Sequence, residues 1–344
     1  TVPVDFAVKE AATRPPHDRV VGSVGVRFDT EEMVALQLNG VYRSARLPVD
    51  FSATLRLGRR VMAGALASWM PHKSAKVELG YTFRHNDIDI CNAGHNDYKV
   101  VYNHHRANLT LAGINIRNLV ADLSVRWDYY NYTQLLISRK MSPGDITLTD
   151  DHYFSYHANV HYDSENNGLF PTRGVRFMAE YAYVTDNLAH YNGHAGFSEL
   201  SALWRMSFPI TKQLTLQPML YGRLLFGSEI PDVRRNMIGG LWFGHYLEQQ
   251  MPFAGLGRIE ATDNQFVACR LKAQAQLTTN NFVLFKIVAA QHGDRLRNLL
   301  DHGPMMGYQL GYYYRTMFGP VGAALGYSSK ADRPNFYINI GFEF

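Results

Sequence analysis

The feature that most constrains this chain is a side-chain alternation of period two, sustained over runs longer than ordinary strands. From Asn335 to Phe344 it is unbroken: Phe336, Ile338, Ile340, Phe342 and Phe344 point one way, Tyr337, Asn339, Gly341 and Glu343 the other. Successive strand side chains face opposite sides of a sheet, so this segment is predicted as a strand with one apolar and one polar face. Leu119, Ala121, Leu123, Val125, Trp127 and Tyr129 alternate in the same way with Asp122, Ser124, Arg126 and Asp128. Val267, Cys269, Leu271, Ala273, Ala275 and Leu277 alternate with Arg270, Lys272, Gln274 and Gln276. Soluble strands average about 5 to 6 residues, whereas a strand tilted across a bilayer needs about 9 to 11. These runs are of the second kind.

Marking every alternating run predicts strands near 20–28, 34–43, 50–58, 60–70, 75–85, 98–112, 117–130 and 152–162. The second half adds 173–184, 196–208, 213–226, 265–278, 280–291, 306–317, 320–329 and 335–344. That makes 16, an even number, as bacterial barrels require. Connections after even-numbered strands are mostly short and turn-like, as in 71–74, 209–212, 280–281 and 318–320, and are expected on the periplasmic side. Several after odd-numbered strands are long and polar, notably 86–97, 131–151, 227–264 and 292–305, and are expected outside the cell. A random parsing would not sort loop lengths by parity. Lipid offers no hydrogen-bond partners, so a sheet in the bilayer must close on itself. The expected fold is therefore all-β: a 16-stranded antiparallel transmembrane β-barrel over residues 19–344. Residues 1–18, with Pro3, Pro15 and Pro16, do not alternate and are expected to end a periplasmic adaptor region.

Composition excludes other classes. Apolar stretches are interrupted by Arg, Lys, Asp, Gln or Gly well short of the roughly 18 to 20 residues a spanning helix needs. A net charge of +4 with scattered Lys and Arg gives no basic stripe, so nucleic acid is not an expected partner. Cys91 and Cys269 are read as free thiols. His157 and His161 would stand about 13 Å apart along a strand, His104 and His105 would face opposite sides, and His190 and His194 lie in an Asn/Gly-rich loop. No metal or cofactor is expected. No Gly-x-Ser-x-Gly elbow occurs, and no catalytic residues are expected in this chain. Asp122 and Asp128 would be roughly 20 Å apart with Arg126 between them, a lumen charge network rather than a catalytic pair. Arg126, Arg176, Arg205, Arg270, Lys272 and Arg315 are placed inward with Asp122, Asp128 and Glu180. Such a lumen either favours anions or is a salt-bridged plug that passes little; the plug is the favoured reading.

Two segments resemble the Omp85 superfamily, the 16-stranded barrels that include outer-membrane assembly and two-partner secretion proteins. Asp163 with Phe170-Pro171-Thr172-Arg173-Gly174 resembles the aspartate and turn these barrels carry between their eighth and ninth strands. Ile238-Gly239-Gly240-Leu241-Trp242-Phe243-Gly244-His245-Tyr246 resembles their inward-folded sixth extracellular loop. Gln249-Gln250-Met251-Pro252-Phe253 and Arg27-Phe28-Asp29-Thr30-Glu31 are most similar to barrels that follow patatin-like phospholipase domains. Where many relatives carry an Arg-Gly-Tyr or Arg-Gly-Phe loop tip, this chain has Gly244-His245-Tyr246. The familiar arginine pairs with acids of the late strands, but here the inward positions Arg270, Lys272, Lys286 and Arg315 are basic, so His245 and Tyr246 are expected to dock by hydrogen bonds or stacking. The aromatic ending, Phe336 to Phe344, resembles the signal by which the outer-membrane assembly machinery recognises the last strand. The resemblance implies an integral outer-membrane protein contacting membrane lipids and lipopolysaccharide, with a homodimer or larger membrane complex as a further expectation. Its role would be anchor or translocation platform for a patatin-like domain outside this chain; the alternatives are a stand-alone insertase or secretion barrel and a passive porin. Gly22, Gly25 and Gly341 are expected to weaken pairing between the first and last strands.

Overall fold

The computed structural model describes residues 17–72, 75–116, 118–138, 148–301, 303–331 and 333–342. The spans follow the alternation. They are β1 (Arg19–Asp29), β2 (Met33–Arg43), β3 (Val49–Leu57), β4 (Val61–His72), β5 (Ala75–Asn92), β6 (His95–Ile116), β7 (Leu119–Ile137) and β8 (Asp151–Asp163). After them come β9 (Gly174–Thr185), β10 (Phe197–Pro209), β11 (Leu214–Phe226), β12 (Gln265–Gln276), β13 (Asn281–Gly293), β14 (Met305–Thr316), β15 (Gly319–Ser328) and β16 (Asn335–Gly341). Each pairs antiparallel with the next, and β1 pairs with β16, so the sheet closes.

Alternation becomes an inside-out molecule. Leu79, Leu109, Leu123, Leu220, Leu310, Leu325 and Phe336 are exposed on the outer face, while Arg27, Asp128, Gln217, Gln274 and Asn339 are buried within. In water that arrangement would be costly; in a bilayer the outer face meets hydrocarbon and the sheet has no open edge. The interior core is built by chain folded back inside. One cluster gathers Leu203, Met219, Tyr221, Phe253, Leu256, Phe266 and Val288, another Ile88, Val100, Tyr102, Tyr130, Met237 and Leu247.

The structure departs from the expected boundaries on the outer side. Residues 86–97, expected as a loop, continue the β5 and β6 strands around a turn at Ala93-Gly94, where both φ angles are positive. Such a two-residue turn matches the right-handed twist of a hairpin. Likewise β7 runs on to Ile137, into the expected 131–151 loop, of which 139–147 lie outside the described residues. Cys91 therefore sits in β5 rather than in a loop, with its thiol donating to Asn96 Oδ1 at 3.3 Å. Both cysteines are free. Residues 1–16, from the expected adaptor segment, and Glu343 and Phe344, from the expected carboxy-terminal signal, also lie outside the described residues.

The sixth loop, 227–264, carries its own small ladder. Met237–Ile238 pairs parallel with Gln250–Met251 and antiparallel with Ile259–Ala261, which in turn pairs parallel with Ile90 and Cys91 of β5.

Candidate functional site

The loop can fold on itself because glycines stand where a side chain could not. Gly239 has φ 120°, and a Cβ there would lie 2.0 Å from the Arg258 carbonyl oxygen. Gly240 and Gly244 also have positive φ, and Gln250 donates from its amide to the Gly239 carbonyl. This turn delivers His245 to a fully buried position. Its ring is stacked between Trp242, with centroids 3.6 Å apart, and Tyr246 at 3.9 Å.

The wall supplies the cations that hold this stack. Arg60 lies 4.7 Å from the Tyr246 ring and donates to the His245 carbonyl at 3.1 Å, while Arg27 lies 5.2 Å from Trp242. Glu32, in the β1–β2 turn, accepts from Arg27, from Arg56 at 2.6 Å and pairs with Arg60 at 2.9 Å. His245 Nε2 is 3.8 Å from Asp29 Oδ2, and Tyr337 of β16 stands edge-on at 6.2 Å. The tip is thus seated beside the β1–β16 closure rather than on the late-strand bases. Burial, together with the charges of Arg27 and Arg60, pushes the His245 pKa down to about 3, so the ring is neutral at physiological pH. Burial alone would raise the Glu32 carboxyl, but Arg60, Arg56 and Arg27 outweigh it and hold it below the usual range. Asp29, Glu32 and His245 each bring one ligand atom within 4.8 Å of the others. The spacing would admit a cation, yet three guanidiniums already engage these carboxylates, and the donor set fits arginine better than metal.

A second anchor grips the loop from β6 and β7. Arg106 Nη1 donates to both carboxylate oxygens of Glu248 in the loop, 2.7 Å to each, and Arg106 Nε donates to Asp128 at 2.7 Å. Asp128 also pairs with His104 at 2.7 Å and accepts from the loop's Arg234 at 3.1 Å. Arg223 joins Glu199 at 2.9 Å and donates to the Arg234 carbonyl. Arg126 lies 3.4 Å from Glu180 and 3.7 Å from Glu248. Its carboxylate partners stand on β9 and on the loop rather than on its own strand. Asp122 instead accepts from the Gly113 amide at 2.8 Å and lies 3.6 Å from His161.

The turn between β8 and β9 enters the barrel from the other end. Phe170 stacks flat on Phe282 with centroids 4.1 Å apart, and Arg315 covers Phe282 at 5.3 Å. Glu165 pairs with Arg205, and Asp163 lies 3.7 Å from Arg176. Pro171 is buried, Thr172 accepts from Asn166, and Gly174 has φ 112° with the Ser164 carbonyl where a Cβ would stand. Arg270 and Lys272 lie on the inner face of β12, away from the loop tip. Phe336, Ile338, Ile340 and Phe342 alternate outward as expected. Sequence reasoning missed Glu32, Arg60, Arg234 and Glu248. The acidic run Asp29 to Glu32 at a hairpin was the one visible signal among them.

A closed antiparallel sheet with an apolar outer face, an ion-paired interior and a loop folded back inside defines an integral β-barrel of the bacterial outer membrane. The chain belongs to the OMP85 superfamily, whose family model matches residues 70–344. Among solved structures it is similar to BamA from Haemophilus ducreyi lacking POTRA domains 1-3, with a TM-score of 0.71 and 13% identity over 95% of this chain and 71% of that one. CdiB from Escherichia coli gives 0.57 and 14% identity, covering 96% of this chain and 64% of that one. CdiB from Acinetobacter baumannii gives 0.56 and 11%, covering 94% and 60%. The chain thus spans less than two thirds of either CdiB chain, and at these identities the likeness is one of fold. No curated protein matches its sequence.

Proposed function

We propose that this barrel is the membrane anchor and translocation platform of a patatin-like protein, and that it handles polypeptide at the β1–β16 seam rather than passing solutes through its lumen. The patatin link rests on the sequence resemblance; the seam carries the rest. Among the described residues, β1 and β16 share three residue pairs, Arg27 with Gly341, Phe28 with Ile340 and Asp29 with Asn339. The next shortest pairing, β15 with β16, has six. A ladder holds in proportion to its paired length, so opening costs least here. The lumen, filled by the sixth loop and the β8–β9 turn, argues against a passive porin. Catalysis, on this reading, belongs to a domain outside the chain.

The test joins the seam covalently in the full-length protein. Phe28→Cys with Ile340→Cys should form a disulfide that blocks surface appearance of the linked domain, with recovery on reduction. Quantitative crosslinking without loss of transport would overturn the seam reading. The same seam would serve a stand-alone barrel that inserts or secretes other outer-membrane proteins. A lipase elbow upstream in the gene favours the platform, and tandem adaptor repeats favour the insertase.

A further inference from the structure

Past its docked tip, the sixth loop touches two separated parts of the wall. On one side its backbone lies directly on β14, β15 and β16, where glycines leave no side chain between. A Cβ on Gly307 of β14 would collide with the Ala254 carbonyl, and one on Gly255 with the Tyr327 carbonyl of β15. A Cβ on Gly326 would stand 2.7 Å from the Gly255 Cα, and one on Gly257 would collide with the Asn335 side chain of β16. On the other side Ile259 and Glu260 pair in parallel with Ile90 and Cys91 of β5, and Arg258 donates to Asn96 Oδ1 of β6 at 2.9 Å. Glu260, only 1% exposed, accepts from the Gly94 amide in the β5–β6 turn at 2.9 Å. Lys330, from the β15–β16 turn, donates to the Ala261 carbonyl at 2.9 Å and lies 3.7 Å from the Glu260 carboxylate. Between these two attachments the wall runs through β16, β1, β2, β3, β4 and β5. Residues 254–261 therefore cut across the arc of wall that contains the β1–β16 seam.

We propose that residues 254–261 are a strap that limits how far the seam opens and that lets go at its β5 end, an inference that rests on the seam reading above. While both ends hold, the wall between them can part only as far as the strap allows. For β16 to swing away from β1, either the glycine contacts or the attachment to β5 must release. The glycine side is packed backbone on backbone and travels with β14, β15 and β16; parting it would forfeit dispersion contacts that nothing replaces. The β5 side is two ladder pairs and a few polar contacts. Hydrogen bonds given up there are exchanged for bonds to water, so each costs little net. Glu260 is the joint, because the β5–β6 turn meets its carboxylate from one side of the seam and Lys330 from the other.

Deuterium exchange is read at the amides of the seam pairs, 27–29 and 339–341, in the purified full-length protein in micelles. Register partners on neighbouring strands stand about 4.8 Å apart, within reach of a disulfide, so Glu260→Cys in a Cys269→Ser background is closed by oxidation onto the native Cys91. Reduced, the strap lacks its carboxylate at β5, and seam exchange should run about tenfold or more faster than in the Cys269→Ser parent. Oxidised, the strap is fastened, and exchange should fall to the parent rate or below. Lys330→Met, which leaves the Gly94 bond in place, should quicken the same amides to a smaller extent, and it decides alone should the disulfide not form. Quickening confined to Asn335, where Gly257 would merely have ceased to cover the strand, overturns the strap, as does seam exchange indifferent to both the redox state and Lys330→Met. No cargo is present, so that failure leaves the transport test of the seam standing. Conversely, transport that survives a locked seam removes the seam reading without altering what exchange says of the strap.

Discussion

His245 is a titratable ring held where a proton is unwelcome. Seated, it takes one only near about 3; released into water it returns to 6.5. The undocked loop therefore binds the proton first. Docking is fully supported above the free value and weakens as pH falls through it, by up to about 1.4 kcal/mol per pH unit. Glu248 stays charged throughout: burial opposes its ionisation, but Arg106, Arg84 and Arg126 hold its carboxyl well below the usual range. Burial raises the Glu260 carboxyl towards the same window, so the comparison with a non-titrating ring carries the test. Protease cutting within 227–264 of the intact barrel should quicken between about pH 7 and 5. His245→Phe, which keeps the stack on Trp242 and Tyr246, should flatten that dependence; an equal rise in both proteins would remove His245 from the latch. The tip residues were legible as a motif, but their partners were not. Arg60 meets His245 across 185 positions of sequence, and alternation says which face a residue takes, not which strand's residue it will meet.

At the scale of the element, closure turns on one glycine. Gly341 was expected to weaken pairing; its φ is 110°, and a Cβ there would stand 2.2 Å from the Val26 carbonyl oxygen. It permits the approach of β16 to β1 that any other residue would obstruct. Gly341→Ala should strain that junction by about 1 to 3 kcal/mol. In a seam of three pairs, deuterium exchange of the β1 amides should then quicken roughly tenfold or more, with β10 and β11 unchanged. Gly22→Ala is the control, because its Cβ would meet the nearest atom, the Asn39 carbonyl oxygen, at 3.8 Å. Exchange in β1 that ignores Gly341→Ala would mean the seam is held elsewhere. The same alternation made all sixteen spans legible, because within hydrocarbon every outward position must be apolar. It failed at the outer tips of β5, β6 and β7, where the outward residues meet water. There Asp87 and Asp89 pair with Arg59, and Lys99 with Asp87, so a strand and a loop share one composition.

At the scale of the molecule, the lumen is closed twice by chain entering from opposite ends. The sixth loop is held by Arg60 on its tip and by Arg106 on Glu248; the β8–β9 turn is held by Arg205 on Glu165 and Phe170 on Phe282. Constrictions in series add their resistances, so releasing one leaves the other to limit the current. His245→Ala with Tyr246→Ala removes the stacked tip while leaving the Glu248 anchor. Phe170→Ala with Glu165→Gln removes the turn's ring contact and its ion pair. In planar bilayers each double substitution alone should raise single-channel conductance modestly. The four together should raise it by more than the sum of the two increments, because only then is the path open along its length. Additive increments would mean that the two closures guard separate paths rather than one path in series, and no change in any variant would place the barrier in the anchors around Asp128, where Arg106 and Arg234 join loop to wall.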